Sequence, residues 1–322
     1  MNDLVLNDED RVLILGATGF IGSKLIPELV SRRISLRLLV RDPSKARGLL
    51  REGADIEVRK GDIFDERSLR DALEGIHTAY YFVHSLGGKT LTVNLEFVKK
   101  DRKAAETFIS AANDVGLNRV IYLGGLGEMG EGLSEHLRSR AEVGKILTLG
   151  KPAATVLRAA VIVGAGGASF EMLRYLVERL PVMICPRWID TRIQPIALQD
   201  VLAYLIGCLL NPQTAGQTFD IGGPEILTYR NMMHQYAQAR GLTERFIVTV
   251  PVLTPLLSAY WVDLVTPIPS GIAHALIEGL KNEVICKDNR IDEFVPIRKT
   301  PFIEAVKIAF SEEKEGPGIT GF

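Results

Sequence analysis

Cysteine is scarce in this chain. Cys185, Cys208 and Cys286 are the only three in 322 residues, far apart and with no C-x-x-C pair. That spacing excludes a disulfide framework and a thiolate metal site, and no metal is expected. It fits small buried hydrophobes in a reducing compartment. A surplus of either charge is also missing. The 38 Lys and Arg meet 39 Asp and Glu for a net charge of -1, so no broad basic field invites nucleic acid. No apolar run reaches the roughly 18 uninterrupted residues that a membrane span requires. The mostly apolar stretch 246–280 is broken by Pro251, Pro255, Asp263, Pro267 and Pro269. Short helices roofing a pocket are the leading reading there, and a shallow membrane contact is the minority one. The N-terminus carries Asp3, Asp8, Glu9 and Asp10 where a signal peptide would need an apolar core. The expected location is therefore cytoplasmic. Repeats and low-complexity segments are absent.

What is present is ordinary globular material, 47% hydrophobic and 24% charged, long enough for one large or two modest domains. Its most telling segment lies near the start. The apolar run Val12-Leu13-Ile14-Leu15 enters three glycines spaced G-x-x-G-x-x-G, Gly16, Gly19 and Gly22, and a helical pattern of Ile21, Leu25, Leu29 and Val30 follows. A strand that ends in a glycine-rich turn at a helix N-terminus holds a pyrophosphate, because backbone N–H groups and the helix dipole both face the anion. Gly16 makes the tight turn, Gly19 lets the backbone approach the phosphate, and Gly22 lets the helix pack on the sheet. Thr18, Phe20 and Ile21 complete the candidate loop.

Beyond the loop, strands and helices alternate. Strands are expected at 12–15, 36–40, 56–59, 79–83, 120–123, 155–157 and 219–221. Helices are expected at 21–31, 43–52, 66–73, 95–115, 135–149 and 169–180. Such alternation makes βαβ units, hence an α/β fold with a doubly wound parallel sheet of Rossmann type. The last third loses the alternation and gains prolines, which suggests a small C-terminal substrate-binding part. Residues 1–165, with strands from about 190–225 added, form the expected dinucleotide-binding core. Residues 166–189 and 226–322 form the substrate part, ending in a mobile tail.

Ligands of such sheets sit at the carboxyl ends of the strands. The second strand ends Val40-Arg41-Asp42-Pro43. An arginine at this place pairs with a 2′-phosphate, whereas an acid binds the ribose hydroxyl of NAD. Arg41 comes first, with Ser44 and Lys45 close by, so NADP is favoured over NAD, although Asp42 keeps the NAD alternative in view. Asp62 and Ile63 follow the third strand, and the Asp can accept the adenine amino group. Val83 and His84 follow the fourth, near the nicotinamide ribose. His84 reads equally as a ligand and as an ordinary loop histidine.

With these residues in place the chain resembles the short-chain dehydrogenase/reductases in their extended and atypical branches. The matching segments are Gly16–Gly22, Val40-Arg41-Asp42-Pro43, Gly61-Asp62 and Asp220-Ile221-Gly222-Gly223-Pro224-Glu225. Leu137–Gly144, Ala168–Arg174 and Leu264-Val265-Thr266-Pro267 are similar to NmrA-like and YbjT-like NAD(P)-binding proteins. The resemblance implies an NAD(P)-dependent oxidoreductase that works through a Tyr-x-x-x-Lys pair and a serine. Here no tyrosine has a lysine four residues on, His136 and Arg140 occupy the pair's positions, and Gly124-Gly125-Leu126-Gly127 stands where the serine belongs. On one reading His136 is a substitute general acid, its pKa lowered by Arg140, and Arg140 holds the ribose. On the other, His136 is a surface histidine and Arg140 only binds cofactor. The core face of this helix is expected to be Leu137, Ala141, Gly144 and Leu147.

On the substrate side, Met183, Ile184, Pro186, Trp188 and Ile189 can wall an apolar pocket with Tyr260, Trp261 and Leu264; plain core packing is the competing reading. An apolar wall suits a quinone, isoprenoid or aromatic ketone. The expectation is hydride transfer between nicotinamide and an apolar carbonyl or quinone-like small molecule, in a chain compatible with a homodimer. The alternative is a non-catalytic NADP(H)-binding redox sensor or assembly factor, which the missing serine and tyrosine favour.

Overall fold

The computed structural model describes residues 4–85, 96–127, 133–250 and 265–315. Its centre is a seven-stranded parallel sheet in the order β11-β6-β5-β4-β1-β2-β3. The strands are β1 (Arg11–Leu15), β2 (Ser35–Val40), β3 (Ile56–Lys60), β4 (Ile76–Tyr81), β5 (Arg119–Gly125), β6 (Ala153–Ala159) and β11 (Thr218–Ile221). The chain order reverses between β1 and β4, which opens a crevice at their carboxyl ends. Helices α1 (Phe20–Ser31), α2 (Glu66–Leu73), α3 (Glu96–Val115), α4 (Glu135–Thr148) and α6 (Leu198–Leu210) cover the sheet.

The alternation of side chains along a strand explains why both faces are covered. Val12 and Ile14 of β1 join one apolar layer with Leu25 and Leu29 of α1 and Val201 and Leu205 of α6. Leu13 and Leu15 join the opposite layer with Leu69 of α2, Phe108 of α3 and Val143 of α4. Phe170, Met183, Met232, Tyr236, Ile272 and Val306 anchor a third core. It is built from α5 (Ala168–Arg179), α7 (Tyr229–Ala239), α8 (Ser270–Gly279) and α10 (Phe302–Glu315), while the four-residue α9 (Ile291–Phe294) packs on the layer of Val12 and Ile14. Short two-stranded sheets stitch this region together: β7 (Ile162–Val163) with β10 (Ile196–Ala197), β9 (Arg192–Ile193) with β12 (Leu227–Thr228), and β8 (Val182–Pro186) with β13 (Phe246–Val250).

Several expectations need correction. The strand placed at 79–83 runs from Ile76 to Tyr81; its last rung on β1 is the Phe82 N–H donated to Leu15 O at 3.0 Å, and beyond it β1 turns away at Gly16. The segment 43–52 is a short 3-10 helix, Pro43–Leu49, started by the Asp42 cap and Pro43. Of the expected apolar wall, Met183 and Ile189 are fully buried core, and Ile184 is 58% exposed on the outer side of β8. Tyr260, Trp261 and Leu264 lie outside the described residues, as do 251–264 of the apolar stretch. No helix among the described residues is long and apolar enough to cross a membrane. Nor does any described group of His, Cys, Asp and Glu suit a metal ion.

Candidate functional site

Four consecutive strand ends line the crevice: β2 with Arg41, β1 with the glycine turn, β4 with Val83 and His84, and β5 with Gly124 and Gly125. Asp62 and Ile63 extend the row at β3. With strands about 4.8 Å apart the row spans about 19 Å, long enough for an extended dinucleotide.

The glycine turn is tight for physical reasons. Gly16 has φ +85°, and a Cβ there would lie 2.9 Å from the carbonyl oxygen of Phe82. Gly19 donates its N–H to Gly16 O at 3.0 Å and becomes the N-cap of α1. A Cβ on Gly22 would meet Gly16 O at 2.4 Å and Ala17 Cα at 2.9 Å, so only glycine lets α1 close onto its own turn. No side chain caps α1. Its first N–H groups are thus left for an external acceptor, which is what an anion-binding helix start requires. Thr18 is half-exposed and Gly19 exposed at that opening, with the half-buried Phe20 and Ile21 beside it. Phe20 also touches the substrate side, since Cβ atoms on Gly164 and Gly167 would sit 3.3 Å and 2.8 Å from its Cζ.

At β2, Arg41 is exposed. Asp42 is engaged in its own backbone, with Oδ1 accepting from Ser44 N at 3.0 Å and from Ser44 Oγ at 2.7 Å. Those bonds hold its carboxyl below the usual range, with Lys45 and Lys60 adding positive charge. At β3, Asp62 Oδ1 accepts from Phe64 N at 3.0 Å, a local turn that leaves the second carboxylate oxygen to other partners. Ile63 is nearly buried.

At the β4 and β5 ends the chain gathers Arg140, His84 and His136. Helix α4 begins at the Ser134 cap, and Ser134 Oγ accepts from Leu137 N at 3.4 Å. Its buried face is Leu137, Ser139, Val143, Gly144 and Leu147. Ala141, expected in the core, stays half-exposed. Glycine at 125 lets this helix come close: a Cβ there would be 2.9 Å from Leu137 Cδ2 and 3.5 Å from Arg140 Cβ. Tyr122 OH donates to Arg140 O at 3.0 Å, and the Arg140 guanidinium reaches Leu123 O at 3.4 Å. Among the described residues no carboxylate pairs with Arg140. Its positive charge, with partial withdrawal from water and His136, holds His84 well below the ordinary imidazole value. Burial first, and Arg140 second, lower His136 to about 3. A cation flanked by two neutral imidazoles is a site prepared for a negatively charged or strongly accepting guest.

The His136 shift has a consequence for stability. Its folded-state pKa lies below the unfolded value of 6.5, so the unfolded chain binds more protons between the two. Stability therefore falls as pH drops from about 6.5 toward 3 and is unaffected by this group above that window. His136→Gln is expected to flatten the slope of urea-unfolding free energy between those pH values; an unchanged slope would mean that the imidazole is not withdrawn from water.

Asp101 and Ser139 escaped the sequence reading. Asp101 lies in Lys99-Lys100-Asp101-Arg102-Lys103, a run that reads as a solvated face, yet it is 3% exposed. The signal was in the spacing: Asp101, Ala104, Ala105, Phe108, Ala111 and Ala112 share one helix face, and all are buried.

Comparison with known proteins agrees with this geometry. Residues 16–162 match the NAD(P)H-binding family model. An NAD(P)H azoreductase of Xenophilus azovorans is 24% identical over 243 residues, covering 73% of this chain and 76% of that protein. The mitochondrial NADH dehydrogenase [ubiquinone] 1 alpha subcomplex subunit 9 of Arabidopsis thaliana is 24% identical over 220 residues; the match takes in 67% of this chain and only 54% of the plant subunit. Among solved structures, an NADPH-dependent quinone oxidoreductase of Escherichia coli complexed with NADPH superposes with a TM-score of 0.72 at 20% identity, over 93% of this chain and 99% of that one.

Proposed function

We propose that the chain is an NADP-dependent oxidoreductase of the atypical short-chain dehydrogenase/reductase type, acting on an apolar carbonyl or quinone-like acceptor; the match of residues 16–162 to an NAD(P)H-binding family model supports the cofactor class. The observation that carries this reading is Arg140 of α4, a cation with no carboxylate partner among the described residues, near His84 and His136 and reaching Leu123 O at the end of β5. The α1 N–H groups would hold the diphosphate, Arg41 the 2′-phosphate and Asp62 the adenine amino group. Val83, His84 and Arg140 frame the nicotinamide ribose. NADPH held there would supply the hydride, and water would supply the balancing proton.

His136 then acts differently from a general acid. An imidazole that stays neutral to about pH 3 holds no imidazolium proton to give at neutral pH. Its N–H donates a hydrogen bond to the acceptor oxygen, and Arg140 stabilises the charge developing there. On this reading residues 1–165, with the strands of 190–225, bind cofactor, and residues 166–189 with 226–322 bind the acceptor. The likeness to an azoreductase and a quinone oxidoreductase favours an apolar, quinone-like acceptor.

A second reading has its own support. Gly124 and Gly125 offer no hydroxyl, and the Tyr122 hydroxyl is spent on the Arg140 carbonyl, which suits an NADP(H)-binding sensor without turnover. Steady-state oxidation of NADPH against benzoquinones, naphthoquinones and azo dyes separates the two. Acceptor-dependent oxidation, reduced about tenfold or more in kcat by His136→Ala, is the expected result. NADPH binding with no turnover of any acceptor would select the sensor.

A further inference from the structure

One buried carboxylate joins the two halves of the Arg140 and His84 cluster. Asp101, on α3, accepts from Ser85 N at 2.6 Å through Oδ1 and from Ser139 Oγ at 3.0 Å through Oδ2. Ser85 directly follows His84, and Ser139 directly precedes Arg140. All three partners lie under the site rather than in it: Asp101 and Ser139 are 3% and 1% exposed, and Ser85 meets them through its backbone. The segment after Phe82 lies beyond the ladder, since the last rung on β1 is Phe82 N to Leu15 O and the β4–β5 pairing ends at Tyr81 and Tyr122. Among the described residues, Asp101 is the acceptor that holds Ser85 N in place. A carboxylate suits the task, because both donors point at it and its two oxygens satisfy them without a leftover donor of its own.

We propose that Asp101 is a positioning residue, whose buried carboxylate ties the loop bearing His84 to the helix bearing Arg140 and so sets the nicotinamide-ribose subsite. Asp101 touches neither cofactor nor acceptor. It fixes the separation of the His84 loop from the Arg140 helix. The inference rests on the NADP reading above and concerns only the nicotinamide half of the site. The adenine half, on β2 and β3, has no link to Asp101.

That asymmetry provides the test. NADPH and 2′,5′-ADP, which carries only the adenine half with its 2′-phosphate, are titrated against the wild-type chain and against Asp101→Ala, Asp101→Asn and Ser139→Ala. Asp101→Ala is expected to weaken NADPH by about tenfold or more and to leave 2′,5′-ADP unchanged. Asp101→Asn keeps an acceptor for Ser85 N and can donate to Ser139 Oγ, so it should restore most of the NADPH affinity. Ser139→Ala removes one arm and should give a smaller loss confined to NADPH, which keeps the inference testable should Asp101→Ala not fold. Equal weakening of both ligands, or unchanged NADPH binding in Asp101→Ala and Ser139→Ala, would overturn it. A wild-type chain that binds neither ligand would overturn the cofactor reading itself.

Discussion

Gly22→Ala is expected to cost about 10- to 100-fold in NADPH affinity. The added methyl would sit 2.4 Å from Gly16 O and 2.9 Å from Ala17 Cα. Both neighbours are backbone, so no side-chain rotation relieves the clash. Either α1 moves off the turn or the turn opens. Each outcome displaces the N–H groups at the start of α1 from the anion they are arranged to hold. Overpacking of this kind costs about 1–3 kcal/mol, and each 1.4 kcal/mol is a factor of about ten in binding. Fluorescence titration with NADPH reads the loss. Gly48→Ala is the control, because a Cβ at Gly48 meets nothing within 4 Å; its affinity should match that of the wild type. Equal NADPH affinity in Gly22→Ala and wild type would mean that the turn does not hold the cofactor.

Arg41→Ala is the second large effect, and its signature is selectivity. A charge-assisted hydrogen bond from arginine to phosphate contributes about 1.5–3 kcal/mol, so NADPH should weaken by about 10- to 100-fold. NADH lacks the phosphate and should change little. The structure sharpens the choice between Arg41 and Asp42. The Asp42 carboxylate caps the 3-10 helix Pro43–Leu49 through Ser44, and Lys45 and Lys60 lie close enough to lower its pKa. With Oδ1 taken by Ser44, Asp42 keeps one oxygen for a ribose hydroxyl, while three nearby cations against one anion suit a phosphate. Parallel titrations of both cofactors on the variant check this. An equal loss for NADPH and NADH would remove Arg41 from the phosphate subsite.

Much of the fold was legible because it follows from local rules. Val12–Leu15 is apolar on both faces and could only be a covered strand, and Glu66–Leu73 forms the expected helix from the Asp65 cap onward. The row of strand ends followed from the strand–helix alternation, because ligands of a parallel sheet sit at the carboxyl ends of its strands; the β1–β4 reversal itself is visible only in the fold. What stayed hidden depends on distant partners. Nothing local says that β4 ends at Tyr81, because the cause lies in its neighbours: β1 turns away at Gly16 and the pairing with β5 stops at Tyr122. Asp101 carried a buried-face spacing, but its charged neighbours masked it, and its partners at 85 and 139 are remote in sequence. The His136 pKa likewise depends on burial that helix periodicity alone does not set.

The glycine turn, Arg41 and Arg140 form a single claim, that this crevice takes NADP(H) in preference to NAD(H). Calorimetric titration of the wild-type chain with NADPH and NADH at one ionic strength tests it most directly. The account predicts saturable binding of NADPH, about tenfold or more tighter than NADH. NADH bound as tightly as NADPH, or no binding of either, would contradict it.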